Sequence, residues 1–524
     1  MPYSNKGNVN ILTTLLVAHG IRHVVACPGS RNAPLVHNFG LSPRIECHPV
    51  TDERSAGFYA LGMSQALRQP VAVCVTSGSA LLNLTPAVAE AYYQHISLVV
   101  ISADRPPQWI DQLDGQTLPQ PPAFGTLVSK AVSLPEVVGD DIEQHWYCNR
   151  LVNEALLACC HPQPSPVHIN IPISEPLFDF SVKALPNERK ILLKPAEMSS
   201  TMLSHVARMF FSADRPMLVS GQPMNPGLDE AVALVEHDEQ YVPDFVLYCG
   251  GAIVSKRVKR FLRKAKEVWA VNATGEVNDT FMNLTQVIQG DSEAVASHVR
   301  SLMKSRPHPF IMMWEQLLRR VAHHAETFSP DYSQMAAVKA FSAKYSACIA
   351  KNGGMTVHYA NSSAIRLANI FGADQNVRCN RGVNGIEGSL STAAGFSVVS
   401  EDLVFCVIGD LSFFYDQNAL WNQCLRGNFR VLLLNNRKGG IFNMLPGLEA
   451  SPVRDRLVAA AHNTSAEGIC SQNGVAYLRA SDMTTLREGI DALFDMETER
   501  PVLLEVLTDA EQDECVYREY YRTL

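Results

Sequence analysis

The 524-residue chain has no run of about 18 uninterrupted apolar residues, so no membrane-spanning helix is expected. It has no Lys/Arg-rich tract, and its net charge of -8 argues against nucleic acid as a main partner. Its first residues lack a basic segment followed by a short apolar one, so no secretory signal is expected. None of its 13 cysteines forms a C-x-x-C pair, and no zinc site is expected. Several of those thiols, including Cys27, Cys74 and Cys406, sit inside apolar runs, as buried free thiols of a reducing, cytoplasmic compartment would. Short-period repeats and low-complexity tracts are also missing.

What remains is the composition of an ordinary globular protein, 47% apolar and 18% charged, long enough for about three or four domains. Residues 1–180 alternate strand and helix patterns, which implies a parallel sheet. Strands are expected at 23–26, 71–75, 98–102 and 167–171, and helices at 10–18 and 55–67. Turns at Pro28-Gly29-Ser30-Arg31, Thr76-Ser77-Gly78-Ser79 and Ala103-Asp104-Arg105-Pro106-Pro107 follow the first three strands. Residues 181–200 read as a linker. A second α/β unit spans 201–330, with strands at 216–220, 245–248 and 268–271 and the basic pair Lys256-Arg257 behind the second. A third unit spans 335–524, and its strand, Gly/Ser turn and helix repeat the rhythm of the first.

The densest signal lies at 404–442. Residues 404–408 are a short buried strand, broken by Gly409-Asp410, with a helical stretch expected through Trp421 and Leu425. Residues 430–434 form a second strand, stopped by Asn435-Asn436. Ligands of open α/β sheets sit beyond the carboxyl ends of strands, so Asp410 and Asn436 fall side by side at such a place. A carboxylate oxygen and an amide oxygen suit Mg²⁺, which completes its octahedron with water and phosphate oxygens, and a helix N-terminus adds anion affinity. Alone, Asp410 reads rather as a cap and Asn436 as a turn. Likewise Glu53, just before an Ala/Gly-rich helix, reads by itself as a favourable N-terminal charge.

Gly409-Asp410, 24 residues and then Asn435-Asn436 resembles the cofactor motif of thiamine-diphosphate-dependent enzymes, which usually reads G-D-G where this chain has Leu411. Within that family the chain is similar to the menaquinone-pathway synthases that join 2-oxoglutarate to isochorismate, for which G-D-L-S is the usual variant. The matching blocks are 27–35, 51–62, 102–116, 255–257, 361–366 and 380–395.

The resemblance implies an α/β fold of three doubly wound parallel-sheet domains: pyrimidine-binding (1–180), central (201–330) and diphosphate- and metal-binding (335–524). Thiamine diphosphate and Mg²⁺, or Mn²⁺ in its place, would be the cofactors. Glu53 would bond the aminopyrimidine N1′ and so help N4′ take the thiazolium C2 proton. Gly409, Asp410, Leu411, Ser412 and Asn436 would line the cofactor, with Asp410, Asn436 and the Lys438 carbonyl on the metal. Ile386 would hold the cofactor bent, and Ile441 and Phe442 would wall the reacting centre. Ser30, Arg31, Arg105, Gln116, Lys256 and Arg257 would face isochorismate, and Ser362, Arg366 and Arg381 the distal carboxylate of the succinyl group.

Two dicarboxylates need several cations, preferably the bidentate guanidinium. Arg437-Lys438 departs from the family, which often has Asn or Gly just after the Asn pair. The cofactor would lie between chains, in a homodimer or homotetramer. The alternatives are another thiamine-diphosphate 2-oxo acid decarboxylase or carboligase, and a catalytically silent module of the same fold.

Overall fold

The computed structural model describes residues 1–524 except 140, 193–198, 223, 277, 372–376, 445 and 446, and describes no side chain at 352, 443, 444 or 449. Part of the expected linker, 193–198, therefore lies outside the described residues.

Three parallel sheets follow one another along the chain. The first holds β1 (His23–Ala26), β2 (Glu46–Pro49), β3 (Val71–Val75), β4 (Leu98–Asp104), β5 (Lys130–Ser133) and β6 (Val167–Pro172), in the order β2-β1-β3-β4-β6-β5. The second holds β7 (Pro216–Gly221), β8 (Phe245–Gly250), β9 (Glu267–Asn272) and β10 (Leu284–Gln289), in the order β10-β9-β8-β7. The third holds β11 (Met355–Tyr359), β12 (Val377–Arg378), β13 (Leu403–Gly409), β14 (Phe429–Asn435), β15 (Ala476–Ala480) and β16 (Val502–Leu507), in the order β12-β11-β13-β14-β16-β15. The first and third sheets thus share one strand order, which is the structural form of their common rhythm. Their central strands are continuous apolar runs because helices cover both faces: every residue of β3, β4 and β14 is buried.

In that strand order the chain reverses direction between β1 and β3, and again between β11 and β13. Such reversals open crevices at the carboxyl ends of the strands. The Pro28–Arg31 and Thr76–Ser79 turns border the first crevice. Ser362 and Gly409-Asp410 border the second.

The helices that matter for the site are α1 (Glu53–Leu67), α2 (Leu228–Val235), α3 (Lys256–Leu262), α4 (Ser363–Phe371), α5 (Ser389–Val398), α6 (Asp410–Tyr415) and α7 (Ala510–Thr523). The first helix starts two residues earlier than its apolar pattern suggests, because Asp52 caps it, accepting from the backbone N–H of Arg54 (2.9 Å) and Ser55 (3.2 Å).

The stretch after Asp410 corrects the expectation of one helix through Leu425. It stops at Tyr415 and resumes as a 3₁₀ turn over Gln417–Trp421. The fully buried Asp416 breaks it, turning its carboxylate to the backbone N–H (2.8 Å) and hydroxyl (2.7 Å) of Ser391.

The first and third units pack through α1 and α5 at near-backbone contact. A Cβ on Gly62 would lie 2.0 Å from the Thr392 carbonyl oxygen, and one on Gly395 would lie 2.3 Å from that of Tyr59. Gly62→Ala is expected to destabilise by about 1–3 kcal/mol or more, since backbone cannot give way as a side chain can. The check is a fall of several degrees in the thermal midpoint. Among the described residues, no helix is long and apolar enough to cross a membrane.

Candidate active site

The ends of β13 and β14 meet as the spacing predicts. The strands are adjacent and parallel, with Gly409 opposite Leu434, so Asp410 and Asn436 leave the sheet side by side. Asp410 is buried, and its Oδ1 accepts the Leu411 N–H at 2.7 Å. Its Oδ2 is buried with no hydrogen-bond partner among the described residues. His462 Nε2 lies 3.3 Å away. Because His462 Nδ1 accepts the Thr464 N–H (3.1 Å), the ring proton belongs on Nε2, so that nitrogen offers no lone pair to a metal, and it makes no hydrogen bond to Asp410.

Asn436 spends its NH₂ on Asp513 Oδ2 (3.1 Å), which turns its amide oxygen the other way. Asp513 is itself held by the Gln334 N–H (2.8 Å) and the Thr508 hydroxyl (2.9 Å), and burial pushes it up to about 6. An orphaned carboxylate oxygen beside an oriented amide oxygen is a hard donor set that fits Mg²⁺.

The loop after the Asn pair explains its departure from the family. Arg437 has φ 66°, the left-handed region that glycine and asparagine adopt most easily. The arginine is held there by its N–H on Asn435 Oδ1 (3.0 Å), and Asn435 in turn donates to the buried Glu505 (2.7 Å). The Lys438 ammonium reaches toward Asp455 (3.7 Å). Leu411 is half-buried, Ser412 donates its hydroxyl to the Ile386 carbonyl, and the Ile386 side chain is 42% exposed.

A cavity of about 420 Å³ brings Lys256, Arg257 and Arg366 together with Ile441 and Phe442. Two of the cations come from α3 in the second unit and one from α4 in the third. Ser255 caps α3 and bonds Asp229, which also binds Arg257 Nη1 (2.7 Å) and the Tyr521 hydroxyl (3.0 Å). Ser362, with φ 73°, precedes α4, and its carbonyl accepts the Arg366 N–H at 3.4 Å.

Glu230 of α2 also lines this cavity, and its Oε2 is buried without a partner among the described residues. Burial, assisted by Asp229, pushes its carboxyl up to about 7. A raised carboxyl favours folding while it is protonated. That contribution is complete below about 4.5 and is lost as pH rises through 7. Glu230→Gln should flatten this dependence and raise stability at pH 8 by up to about 3 kcal/mol, as read by urea unfolding at pH 5 and pH 8.

The first-unit candidates gather at the other crevice. Ser30 is exposed, and its turn presses on the Thr76 turn, where a Cβ on Gly29 would lie 2.4 Å from Thr76 Cβ. Arg31 is buried, donating to the Ile173 carbonyl (3.0 Å) and Glu175 (3.4 Å). Arg105 pairs with Asp114 (2.6 Å) and the Gly115 carbonyl (3.1 Å). Gln116 is exposed with φ 57°, and its backbone rests against Gly78. Glu53, half-buried, accepts from Asn83 Nδ2 at 3.2 Å.

Two candidate groups thus form, one on the first unit and one on the second and third. Within one chain the start of α1 is tied to the far end of α6: Arg54 donates to the Tyr415 carbonyl (3.0 Å) and Asn418 donates to Asp52 (2.7 Å). Arg381 joins neither group. It donates to Asn361 Oδ1 (2.9 Å) and borders a separate crevice of about 640 Å³ with Lys259 and Tyr248. Asp513, His462, Glu230 and Asn83 were missed from the sequence, where no local motif marks them.

Residues 9–122 match the family model described as the thiamine pyrophosphate enzyme, N-terminal TPP binding domain, and residues 362–506 the corresponding C-terminal TPP binding domain. A Bacteroides fragilis protein named 2-succinyl-5-enolpyruvyl-6-hydroxy-3-cyclohexene-1-carboxylate synthase is 43% identical over 100% of both chains. Proteins of the same name are 42% identical in Bacteroides thetaiotaomicron, over 100% of this chain and 99% of that one, and 34% identical in Christiangramia forsetii, over 99% of each. With both cofactor-binding domains matched and the full length aligned, the chain belongs to the 2-succinyl-5-enolpyruvyl-6-hydroxy-3-cyclohexene-1-carboxylate synthase family of thiamine-diphosphate-dependent enzymes.

Proposed function

We propose that the chain condenses 2-oxoglutarate with isochorismate, releasing CO₂ and forming 2-succinyl-5-enolpyruvyl-6-hydroxy-3-cyclohexene-1-carboxylate for menaquinone biosynthesis in the cytoplasm. The observation that carries this reading is the cavity in which Lys256, Arg257 and Arg366 face the apolar pair Ile441 and Phe442. Three cations beside an apolar wall suit anionic substrates that must lose a carboxylate away from water.

Thiamine diphosphate, when bound, supplies the electron sink that lets 2-oxoglutarate lose CO₂ and its remaining four-carbon unit add to the conjugated ring carbon of isochorismate. The protein's share is binding, orientation and one proton. The Glu53 carboxyl holds that proton at the aminopyrimidine N1′. Asp410, Asn436 and the Lys438 carbonyl hold Mg²⁺ or Mn²⁺, with Gly409, Leu411 and Ser412 beside the diphosphate. Ile386 props the cofactor, and its exposure in the single chain leaves it free for that contact. Ser30, Arg31, Arg105, Gln116, Lys256 and Arg257 recognise isochorismate, while Ser362, Arg366 and Arg381 hold the distal succinyl carboxylate. The active site is completed between two chains of a homodimer or homotetramer, which fits the separation of the two candidate groups.

The test follows loss of the isochorismate chromophore with 2-oxoglutarate, Mg²⁺ and thiamine diphosphate, omitting each in turn. Loss that requires all three is expected. CO₂ release from 2-oxoglutarate without loss of the chromophore would replace this reading with a simple decarboxylase.

A further inference from the structure

Away from both candidate groups, at the outer edge of the first sheet, His23, Glu46 and His48 converge. The parallel register sets His23 of β1 directly opposite Glu46 of β2, and His48 is two residues on, so all three side chains leave the same face. His23 Nδ1 lies 3.1 Å from His48 Nε2, and the Glu46 carboxylate straddles them at 3.8 and 3.9 Å. Among the described residues this is the one set of three or more His, Cys, Asp or Glu groups close enough to share an ion.

We propose that His23, Glu46 and His48 form a binding site for a borderline transition-metal dication of the Zn²⁺ class, separate from the magnesium site of the cofactor.

The spacing carries the argument. Two ligands each 2.0–2.1 Å from a tetrahedral ion stand about 3.3 Å apart. The two imidazole nitrogens are already near that separation, and because Glu46 now turns Oε2 to His23 and Oε1 to His48, a rotation of its side chain that brings one oxygen between the two rings completes the triangle. Glu46, with a side chain 68% exposed, is free to make that rotation, whereas His48 is fixed by burial. Two imidazoles and one carboxylate leave a fourth position open to water on the solvent side. Nitrogen-rich sets favour Zn²⁺, Co²⁺, Ni²⁺ or Cu²⁺ over the oxygen-seeking Mg²⁺ and Ca²⁺, which distinguishes this site from Asp410 and Asn436.

Burial also lowers both histidines, His48 to about 4, so both rings are neutral at pH 7. A ligand must be neutral imidazole, so the ion displaces only the proton shared between the rings. The expectation of no zinc site came from cysteine spacing. A set assembled across two neighbouring strands has no such spacing to read.

Bound there, the ion would cross-link the edge strand β2 to β1. It would also anchor the four residues, Pro49-Val50-Thr51-Asp52, that lead from His48 to Glu53.

The test uses the full chain with Mg²⁺ and thiamine diphosphate saturating, titrated with Co²⁺ and followed by its visible absorption, then with Zn²⁺ as competitor. One Co²⁺ per chain is expected, displaced by Zn²⁺ and accompanied by a higher thermal midpoint. His23→Asn should weaken binding at least tenfold and Glu46→Gln by a smaller factor, while Asp410→Asn leaves it unchanged. The half-buried His23 and exposed Glu46 can be replaced without opening the core, so a fold defect in His48→Asn would not obscure the result. Binding that survives His23→Asn, a sulfur-to-cobalt charge-transfer band, or no binding at micromolar Co²⁺ would each overturn the proposal.

Discussion

Glu53→Gln should lower turnover by about 10²–10⁴-fold while thiamine diphosphate still binds. The two effects separate because of where Glu53 sits. It is the first residue of α1, but it does not hold that helix in place. The cap is Asp52, which keeps both of its backbone contacts in the variant. Losing a first-turn charge costs about 0.3–1 kcal/mol, too little to unfold the domain. Glutamine fills the same volume and keeps an oxygen for Asn83, but it has no acid proton to share with a ring nitrogen. Steady-state turnover and cofactor titration on the same preparation check the outcome. Turnover near the unmodified rate would remove Glu53 from its role.

Asp410→Asn is expected to leave the fold intact and weaken Mg²⁺-dependent cofactor binding by about 100-fold or more, because it removes the only formal charge in the donor set. Its larger value lies in combination. If each site takes Glu53 from one subunit and Asp410 from the other, a mixed dimer of the two variants has one site with both defects and one with neither. Co-expressed at equal levels, the inactive variants should recover about a quarter of unmodified activity. A site contained in one chain would give no recovery, since every site would keep one defect. The two-chain site proposed above predicts recovery. The start of α1 is fastened to Tyr415 and Asn418, at the far end of a six-residue helix from Asp410, and the Gly62 and Gly395 contacts leave no room for that helix to swing.

Central strands were readable because burial on both faces leaves an uninterrupted apolar run, as at 404–408 and 430–434. The strands that escaped notice lie at or near sheet edges. β10, with the sequence LTQVIQ, has one fully buried residue, and β2 and β12 are half exposed, so neither run length nor alternation marks them. The helix after Asp410 was over-extended because only tertiary structure shows Asp416 to be claimed by Ser391.

Candidate residues next to Gly-rich turns were legible, since turn chemistry is local. Their partners were not. That Arg31 answers to Glu175 and Arg105 to Asp114 depends on loops folding back. Asp513 meets Asn436 from 77 positions further along, with nothing in between to announce it.

Of the thirteen cysteines, all free, Cys515 alone is exposed. It lies on α7, between Asp513, which orients Asn436, and Tyr517, which lines the 420 Å³ cavity. The other thiols are buried or half-buried, and burial holds most of them, such as Cys74 at about 12, well above the range in which they react. Cys160 is the exception, a half-buried thiol that its hydrogen bond with Cys159 lowers to about 7, so with Cys160 replaced a maleimide fluorophore would attach at the surface Cys515. Its emission would then report, as a light signal, the ordering of the loop proposed to hold the metal, from the helix that already touches it.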